Sequence, residues 1–97
     1  MAIMSRMSRV KEMVVERFPS LENSLRKVES CEDYYNLPAE EKEALRAHCV
    51  EVYTTDTWIG FGDDAEYVNV DMLLFTFLDE RGRDHTVSDI LRINEEL

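Results

Sequence analysis

The chain has 97 residues, and its 21 acidic and 11 basic side chains give a formal net charge of −10. This length suits a single domain spanning residues 1–97, because one hydrophobic core is usually built from roughly 100 to 150 residues. No run approaches the roughly 18 apolar residues of a membrane span, and the first ten residues lack the apolar core of a signal peptide. We therefore expect a cytoplasmic protein whose two cysteines, Cys31 and Cys49, remain thiols.

The acidic charge is unevenly distributed along the chain. Residues 1–28 carry six basic and three acidic side chains, a local net charge of +3. Residues 29–71 carry twelve acidic side chains against only Lys42 and Arg46, a net charge of −10. A large and clustered charge affects association with partners more than it affects the fold, so this asymmetry is the strongest functional clue in the sequence.

An amphipathic helix is predicted at the N-terminus. Its apolar residues recur at intervals of three or four and fall on one stripe: Ile3, Met7, Val10, Val14 and Phe18. Pro19 ends this helix, because the residue before a proline is displaced from the α region. We expect Ser20 to cap a second short helix. The basic residues of the first helix are interrupted by Glu12 and Glu16, so they are expected to complement the acidic body of the protein or of a second subunit rather than bind a membrane or nucleic acid.

Two further helical segments are predicted before the strands. Ser30 begins a pattern that resembles a capping box and starts a single helical turn. Pro38 suits the first position of the next helix, and Glu40 and Glu41 are favourable near its positive end. This helix is expected to run to about His48, with a thin apolar face.

From Val50 the periodicity of apolar residues becomes that of β-strands. We expect a first strand from Val50, a turn at Thr55 and Asp56, a second strand over residues 57–61 and a long third strand over about residues 66–78. A hairpin turn and a short strand follow. Residues 86–89 then resemble a capping box, with Asp89 as its acidic residue, and predict a C-terminal helix with the apolar residues Ile90, Leu91, Ile93 and Leu97. The predicted fold class is α+β: N-terminal helices, a three- or four-stranded antiparallel sheet and a C-terminal helix.

The long strand is apolar on both faces in its second half. Alternation places Leu73, Phe75 and Phe77 on one face and Met72 and Leu74 on the other. We expect helices to cover one face and something further, such as a partner chain, to cover the other. One hypothesis is therefore a homodimer, with no charge-led partner, that buries Leu73, Phe75 and Phe77, or the N-terminal helix, against its copy.

No catalytic or metal-binding motif is recognisable. The nitrogen and sulfur ligands are limited to His48, His85, Cys31 and Cys49, without a paired spacing, and we expect the cysteines to be small buried apolar residues. No signature of a cysteine nucleophile surrounds either thiol. We therefore expect no metal, no cofactor and no enzymatic activity. A small enzyme that uses the histidines, cysteines and carboxylates is the least favoured alternative.

Carboxylates and aromatic residues cluster around the turn that follows residue 61. Asp63, Asp64 and Glu66 lack the spacing of an EF-hand loop, so a solvated polar turn is favoured over a cation site. Trp58 and Phe61 could stack on nucleic-acid bases, but such platforms occupy positively charged grooves. Since this region is acidic, direct nucleic-acid binding is not expected.

The favoured function is a binding module or inhibitor whose acidic surface docks on a basic surface of another protein. Seven residues are the predicted contacts: Glu40, Glu41, Glu43, Asp56, Asp63, Asp64 and Glu66. In a sharper version, the carboxylates stand where phosphates would lie and block a nucleic-acid-binding protein. Small acidic proteins of phage and mobile elements that disable restriction or CRISPR nucleases offer an analogy of size and charge. In the alternative, the charge only keeps a small protein soluble.

Overall fold

Four α-helices precede a three-stranded antiparallel sheet in residues 8–96, the part of the chain that the computed structural model describes. The helices are α1 (Arg9–Arg17), α2 (Glu22–Lys27), α3 (Cys31–Tyr35) and α4 (Ala39–Ala47). The strands are β1 (Val50–Ile59), β2 (Glu66–Leu78) and β3 (Asp84–Glu96). The α+β class and the order of helices before strands are thus confirmed. None of the helices within residues 8–96 has the length and apolar character needed to cross a membrane.

The two ends of α1 follow from local sequence signals. Ser8 caps the helix, because its Oγ accepts a hydrogen bond from the amide of Lys11 at 3.2 Å. The helix ends before Pro19, as predicted. The predicted cap at Ser20 is wrong, because residues Pro19–Leu21 form a single 3-10 turn that leads directly into α2.

Two other predictions about the helices have different outcomes. Ser30 caps α3 as expected, since its Oγ accepts a hydrogen bond from the amide of Asp33 at 3.1 Å. The predicted stripe of the first helix is only partly described, because Ile3 and Met7 lie outside residues 8–96. The described part of the stripe is apolar and faces inward, with Val10 and Val14 buried.

β2 lies in the centre of the sheet, with β1 and β3 antiparallel on either side. β1 continues without a break through Thr55 and Asp56, which pair with Val70 and Asn69 of β2, so the predicted turn at this point is wrong. Threonine is β-branched and suits a strand. The threonines on either side of Asp56 therefore outweigh the turn preference of one aspartate.

The helices cover one face of the sheet. Val50 and Val52 of β1 and Leu73 and Phe75 of β2 are buried on this face. The helical segments and their connections contribute the rest of this core: Val10, Val14, Leu21, Leu25, Val28, Tyr34, Leu37 and Leu45. Phe77 packs against the same cluster. The expectation that Leu73, Phe75 and Phe77 form a dimer interface is therefore wrong, because the chain's own helices already occupy their face.

The predicted C-terminal helix is also wrong, because residues 84–96 form β3 and pair with β2. The pairing contains two β-bulges, in which Leu91 and Asn94 are the extra residues. Each bulge shifts the alternation of side chains along the strand. As a result Val87 and Leu91, four positions apart, both pack against the helix-side core, and this spacing also suits a helix.

The acidic residue of the supposed C-terminal capping box has a different role. Asp89 lies on β3, and its Oδ2 accepts a hydrogen bond from the amide of Val10 at 2.8 Å. Val10 is in the first turn of α1, where backbone amides have no partner within the helix. Asp89 therefore caps a helix that is distant in sequence, and it joins α1 to the sheet.

A buried carboxylate joins the sheet to α3. Asp71 of β2 is 5% exposed, and its oxygens accept three hydrogen bonds: from the Cys31 amide at 2.8 Å, from Thr54 Oγ1 at 2.9 Å and from Asn94 Nδ2 at 2.8 Å. Burial acts to raise the pKa of Asp71, but these bonds and the charge of Arg92 outweigh it and hold the pKa below its usual value. The ionised carboxylate is thus the form that the fold stabilises.

Replacing this carboxylate tests its importance. We expect Asp71→Ala to lower the free energy of unfolding at pH 7 by about 3 kcal/mol, because it removes the ionised acceptor of three hydrogen bonds that join β1, β3 and α3. The control Glu95→Ala changes an exposed carboxylate on β3 and should cost less than about 0.5 kcal/mol. Urea denaturation measures both, and equal effects of the two variants would contradict the role of Asp71.

The same experiment has an expected pH dependence. Because the pKa of Asp71 is lower in the folded state than the value of about 3.9 in an unfolded chain, its ionised form adds stability above about pH 4. This stability is lost as the pH falls through the folded-state pKa. The difference between wild type and Asp71→Asn should therefore shrink on acidification, and a difference that stays constant down to acid pH would exclude this linkage.

Candidate functional site

The outer half of the β1–β2 hairpin extends beyond the helix-covered core. Val52 on β1 and Leu73 on β2 are the residues of this core that lie nearest the turn of the hairpin. The last pair of the β1–β2 ladder, Ile59 and Glu66, lies five residues beyond the pair Thr54 and Asp71, which corresponds to about 16 Å of strand. We call residues 56–69 the hairpin tip.

Glycine allows the chain to reverse at the hairpin tip. Gly60 has a φ of +93°, and a Cβ at this position would lie 3.0 Å from the carbonyl oxygen of Asp64. A 3-10 turn follows over Gly62–Asp64, closed by the amide of Asp64 on the carbonyl of Phe61 at 3.2 Å. The turn thereby holds Phe61 between two glycines at the outermost point of the hairpin.

Three large aromatic side chains are exposed at the hairpin tip. Trp58 is 66% exposed and pairs across the strands with Tyr67, their ring centroids lying 5.0 Å apart. Phe61 is 93% exposed. Single exposed apolar residues are common on protein surfaces, but a group that includes Trp and Phe at the end of a projecting element is typical of an interaction site.

The charges of the hairpin tip are all negative. Residues 56–69 contain four carboxylates, those of Asp56, Asp63, Asp64 and Glu66, and no Lys, Arg or His. Asp56 Oδ1 accepts a hydrogen bond from Asn69 Nδ2 at 2.8 Å, which fixes it on the sheet. Glu95 of β3 pairs with Asn69 in the ladder and places a further exposed carboxylate beside the tip.

The structure divides the seven predicted contact residues into two groups. Asp56, Asp63, Asp64 and Glu66 belong to the hairpin tip, whereas Glu40, Glu41 and Glu43 lie on α4. Glu41 accepts hydrogen bonds from Ser24 Oγ at 2.9 Å and Lys27 Nζ at 3.2 Å, and these two bonds lower the pKa of Glu41. Glu41 therefore already joins α4 to α2, and the seven residues do not form one surface around the aromatic residues.

The aromatic residues of the hairpin tip are the part of the site that the sequence indicates least clearly. In the sequence, Trp58 and Phe61 suggest only a platform for bases, which the acidic surroundings disfavour. A signal for their exposure was present, since an aromatic residue between Gly60 and Gly62 stands in a turn and cannot reach a core. The acidic residues drew attention to the same segment for a different reason.

The histidines lie away from the hairpin tip and have local partners. His85 Nε2 lies 2.7 Å from Asp79 Oδ2 at the β2–β3 turn, and His48 Nδ1 lies 2.7 Å from the carbonyl of Ala44 in α4. Asp79 also accepts hydrogen bonds from the amides of Arg83 and Arg81, the former being the largest cause of its lowered pKa. These contacts organise a turn and a helix end.

The two cysteines differ in their surroundings. Cys31 is partly buried and accepts a hydrogen bond from Thr54 Oγ1 at 3.2 Å. The expectation of a buried thiol is wrong for Cys49, which is exposed. Only His48 and Cys49 connect α4 to β1, and this tight junction places Cys49 in the left-handed region with a φ of +61°. Within residues 8–96, no three His, Cys, Asp or Glu side chains are placed to share a metal ion.

The geometry of the turn can be tested with two glycine variants. We expect Gly60→Ala to destabilise the protein by about 2 kcal/mol, because it combines a positive φ with a collision against the backbone. Gly62→Ala is the matched control, since its φ is also positive but nothing lies within 4 Å of a Cβ there, and it should cost about 1 kcal/mol. Urea denaturation followed by tryptophan emission measures both, and a harmless Gly60→Ala would contradict the described turn.

Comparisons of this chain with protein-family models, with curated proteins and with solved structures gave no match. The function is therefore inferred from the geometry and charge of the chain itself.

Proposed function

We propose that the protein is a small protein-binding module that docks its hairpin tip on a basic surface of another protein. The observation that carries this proposal is the exposure of Trp58 and Phe61 beside the carboxylates of Asp63 and Asp64 in the adjoining turn. The module acts by binding and not by catalysis. The carboxylates of α4 are a secondary surface in this proposal.

The aromatic residues supply the contact energy. A few aromatic side chains usually carry most of the binding energy of a protein interface, and Trp and Tyr are prominent among them. Trp58 and Tyr67 form one paired platform, and Phe61 projects separately from the turn. Full burial of a side chain of this size contributes about 1.5 to 3 kcal/mol, a gain that the isolated chain does not realise.

The carboxylates favour arginine on the partner. A guanidinium group stacks on an aromatic face and also forms paired hydrogen bonds with a carboxylate. Asp56 and Trp58 are two positions apart on β1 and therefore lie on the same face of the strand. Tyr67 stands opposite Trp58 on β2. One arginine side chain could thus meet an aromatic ring and a carboxylate together.

The net charge of −10 supports fast and selective association. A clustered charge steers a partner of opposite sign towards the site and raises the association rate, with a strong dependence on ionic strength. The same charge repels nucleic acids and anionic membranes, so neither is proposed as a direct ligand. A basic protein surface is the partner that fits both the charge and the aromatic residues.

The sharper form of the proposal is an inhibitor. Basic surfaces rich in arginine commonly bind nucleic acids, whose phosphates they neutralise. A partner held through such a surface would be blocked from its nucleic acid, with the carboxylates of Asp63 and Asp64 in the place of phosphates. The small acidic inhibitors of restriction and CRISPR nucleases mentioned above are an analogy for this form.

A defined cationic peptide tests the preference for arginine. Trp58 is the only tryptophan, so its emission reports directly on the hairpin tip. We expect oligoarginine to bind at low salt about fivefold more tightly than oligolysine of equal length, because an exposed cation–π contact contributes about 0.5 to 1 kcal/mol. Equal affinities for the two peptides would remove the role of the aromatic platform.

Two charge variants locate this peptide-binding surface. Asp63→Asn combined with Asp64→Asn removes two charges from the hairpin tip, and Glu40→Gln combined with Glu43→Gln removes two from α4. The tip variant should bind oligoarginine at least fivefold more weakly and with a smaller salt dependence, whereas the α4 variant should bind nearly as wild type does. An equal loss in both would show that net charge, rather than the tip, determines binding.

Capture from the lysate of the source organism tests the proposal with natural partners. Phe61→Ser removes an exposed tip side chain, and Tyr35→Ser is the control, since Tyr35 is similarly exposed but lies on α3. We expect wild type and Tyr35→Ser to retain a basic protein that Phe61→Ser loses, and we expect duplex DNA to compete for it. The same proteins recovered with all three baits would contradict docking through the tip.

A further inference from the structure

A cavity of about 620 Å³ lies between α3 and α4. Two tyrosines of α3, Tyr34 and Tyr35, line it together with two basic residues of α4, Lys42 and Arg46. Cavities that bind small molecules usually measure about 300 to 1,000 Å³, so this volume suits a small ligand. The residues that line the cavity are separate from the hairpin tip in residues 56–69. The cavity is therefore a second candidate site.

The hydroxyl group of Tyr34 is the unusual feature of this cavity. Tyr34 is only 6% exposed, and its ring packs in the helix-side core. Within residues 8–96, however, no group forms a hydrogen bond with its Oη. Every fully buried side-chain oxygen in these residues has a partner, so this Oη must reach solvent, which it does at the cavity that Tyr34 lines. Buried polar side chains are nearly always hydrogen-bonded, so an unused hydroxyl at a cavity indicates a ligand.

The Tyr34 hydroxyl can donate a hydrogen bond at neutral pH. Burial raises the pKa of Tyr34 above its usual value, although the positive charge of Arg46 acts in the opposite direction. Since the effect of burial is larger, the phenol keeps its proton. An effect of Arg46 on this pKa also requires its guanidinium to lie near the phenol oxygen. The two groups can thus donate to one ligand.

The cavity has a surplus of positive charge in the most acidic part of the chain. Lys42 and Arg46 are the two basic residues of the segment 29–71, which carries twelve acidic ones. They are four positions apart and therefore share one face of α4. Of the described residues, Glu43 is the one acidic residue that lines the cavity. The surplus favours an anionic ligand.

Both cations have donors to spare. Lys42 Nζ donates to the carbonyl of Tyr35 at 3.2 Å, which leaves two of its three protons for a ligand. Among residues 8–96, no carboxylate forms an ion pair with Arg46. Its guanidinium therefore offers the paired donors that suit a phosphate or a carboxylate.

Tyr35 adds an exposed aromatic ring to the cavity. It is 63% exposed, and its ring meets the ring of Tyr34 at a steep angle, with the centroids 5.5 Å apart. The contact with the buried ring fixes the position of Tyr35 and leaves most of its surface uncovered. A planar group such as a nucleic-acid base can therefore stack on Tyr35.

We propose that this cavity binds a nucleoside monophosphate. Arg46, Lys42 and the Tyr34 hydroxyl hold the phosphate, whose terminal oxygens accept hydrogen bonds from all three. The base stacks on Tyr35, and Glu43 accepts a hydrogen bond from a sugar hydroxyl. A simple aromatic acid would match the cations and the ring, but it offers no donor to Glu43. A nucleotide matches every polar side chain at the cavity.

The charge of a mononucleotide suits the cavity better than that of a longer nucleic acid. A phosphate monoester carries about two negative charges at pH 7, and Lys42 and Arg46 supply two positive ones. Further phosphates would meet the surrounding carboxylates of residues 29–71, which give this segment a net charge of −10. Binding at this cavity is independent of the docking function proposed for the hairpin tip.

Equilibrium dialysis of the full chain tests the proposal with the four ribonucleoside monophosphates as probes. We expect at least one of them to bind at submillimolar concentration. Its nucleoside and inorganic phosphate should each bind about tenfold more weakly, because each keeps only one of the two contacts. Absence of binding with all four nucleotides at millimolar concentration would overturn the proposal. Inorganic phosphate that bound as tightly as the nucleotide would also overturn it, because the ring would then have no role.

Single substitutions locate the bound nucleotide. Tyr34→Phe removes only the Oη, so the free energy of unfolding should stay as in wild type while the nucleotide binds about fivefold more weakly. Arg46→Gln should weaken binding about tenfold or more, because it removes a charge-assisted contact. Arg81→Gln removes the same charge at an exposed position of the β2–β3 turn and should bind nearly as wild type does.

Urea denaturation establishes that each variant is folded. Unchanged binding in both Tyr34→Phe and Arg46→Gln would overturn the proposal. An equal loss in Arg81→Gln and Arg46→Gln would also overturn it, since the overall charge would then explain binding. Phe61→Ser at the hairpin tip should bind the nucleotide as wild type does, whereas a loss in this variant would place the nucleotide at the tip and contradict the assigned cavity.

Discussion

The arrangement of this protein depends on the buried carboxylate of Asp71. A charged group in the interior is tolerated only when it is fully hydrogen-bonded, and the three donors to Asp71 come from three different parts of the chain. The amide of Cys31 belongs to the first turn of α3, Thr54 to β1 and Asn94 to β3. Because all three must meet one carboxylate, the register of the sheet and the position of α3 are determined together. Asn94 is also one of the two bulge residues, and its side-chain amide donates to Asp71 from this position.

Asp71 stands near the boundary between a covered and an uncovered part of the sheet. The longest helices, α1 and α4, have nine residues each, or about 14 Å, whereas the thirteen residues of β2 extend for about 43 Å. The helices therefore cannot cover the sheet along its whole length. Beyond Asp71, the strand face that continues the helix-covered side carries Asp56, Trp58, Asn69 and Tyr67, and the rings of Trp58 and Tyr67 are exposed. Val68 and Val70 on the opposite face are fully buried. Exposed aromatic rings beside a carboxylate are the composition expected of a contact surface.

The sequence predicted the features that depend on local rules. The α+β class, the order of helices before strands, the cap at Ser30 and the end of α1 before Pro19 follow from periodicity and capping chemistry. The prediction from sequence failed where pairing between strands, or a contact between distant elements, overrides a local pattern. The bulges at Leu91 and Asn94 give β3 a helix-like spacing, and the capping-box residue Asp89 serves α1 instead of a helix of its own. A bulge is defined against a partner strand, so no property of residues 84–96 alone reveals it.

The candidate site was only partly predictable for a similar reason. The carboxylates of the hairpin tip are visible in the sequence as a segment without basic residues. The sequence does not show that Asp63 and Asp64 lie in a turn. Nor does it show that Glu41 on α4 already accepts hydrogen bonds from Ser24 and Lys27. The alternation of side chains along β2 also does not show which of its two apolar faces the helices cover. Both faces read as apolar, and the interface first expected at Leu73 and Phe75 lies instead beneath the helices.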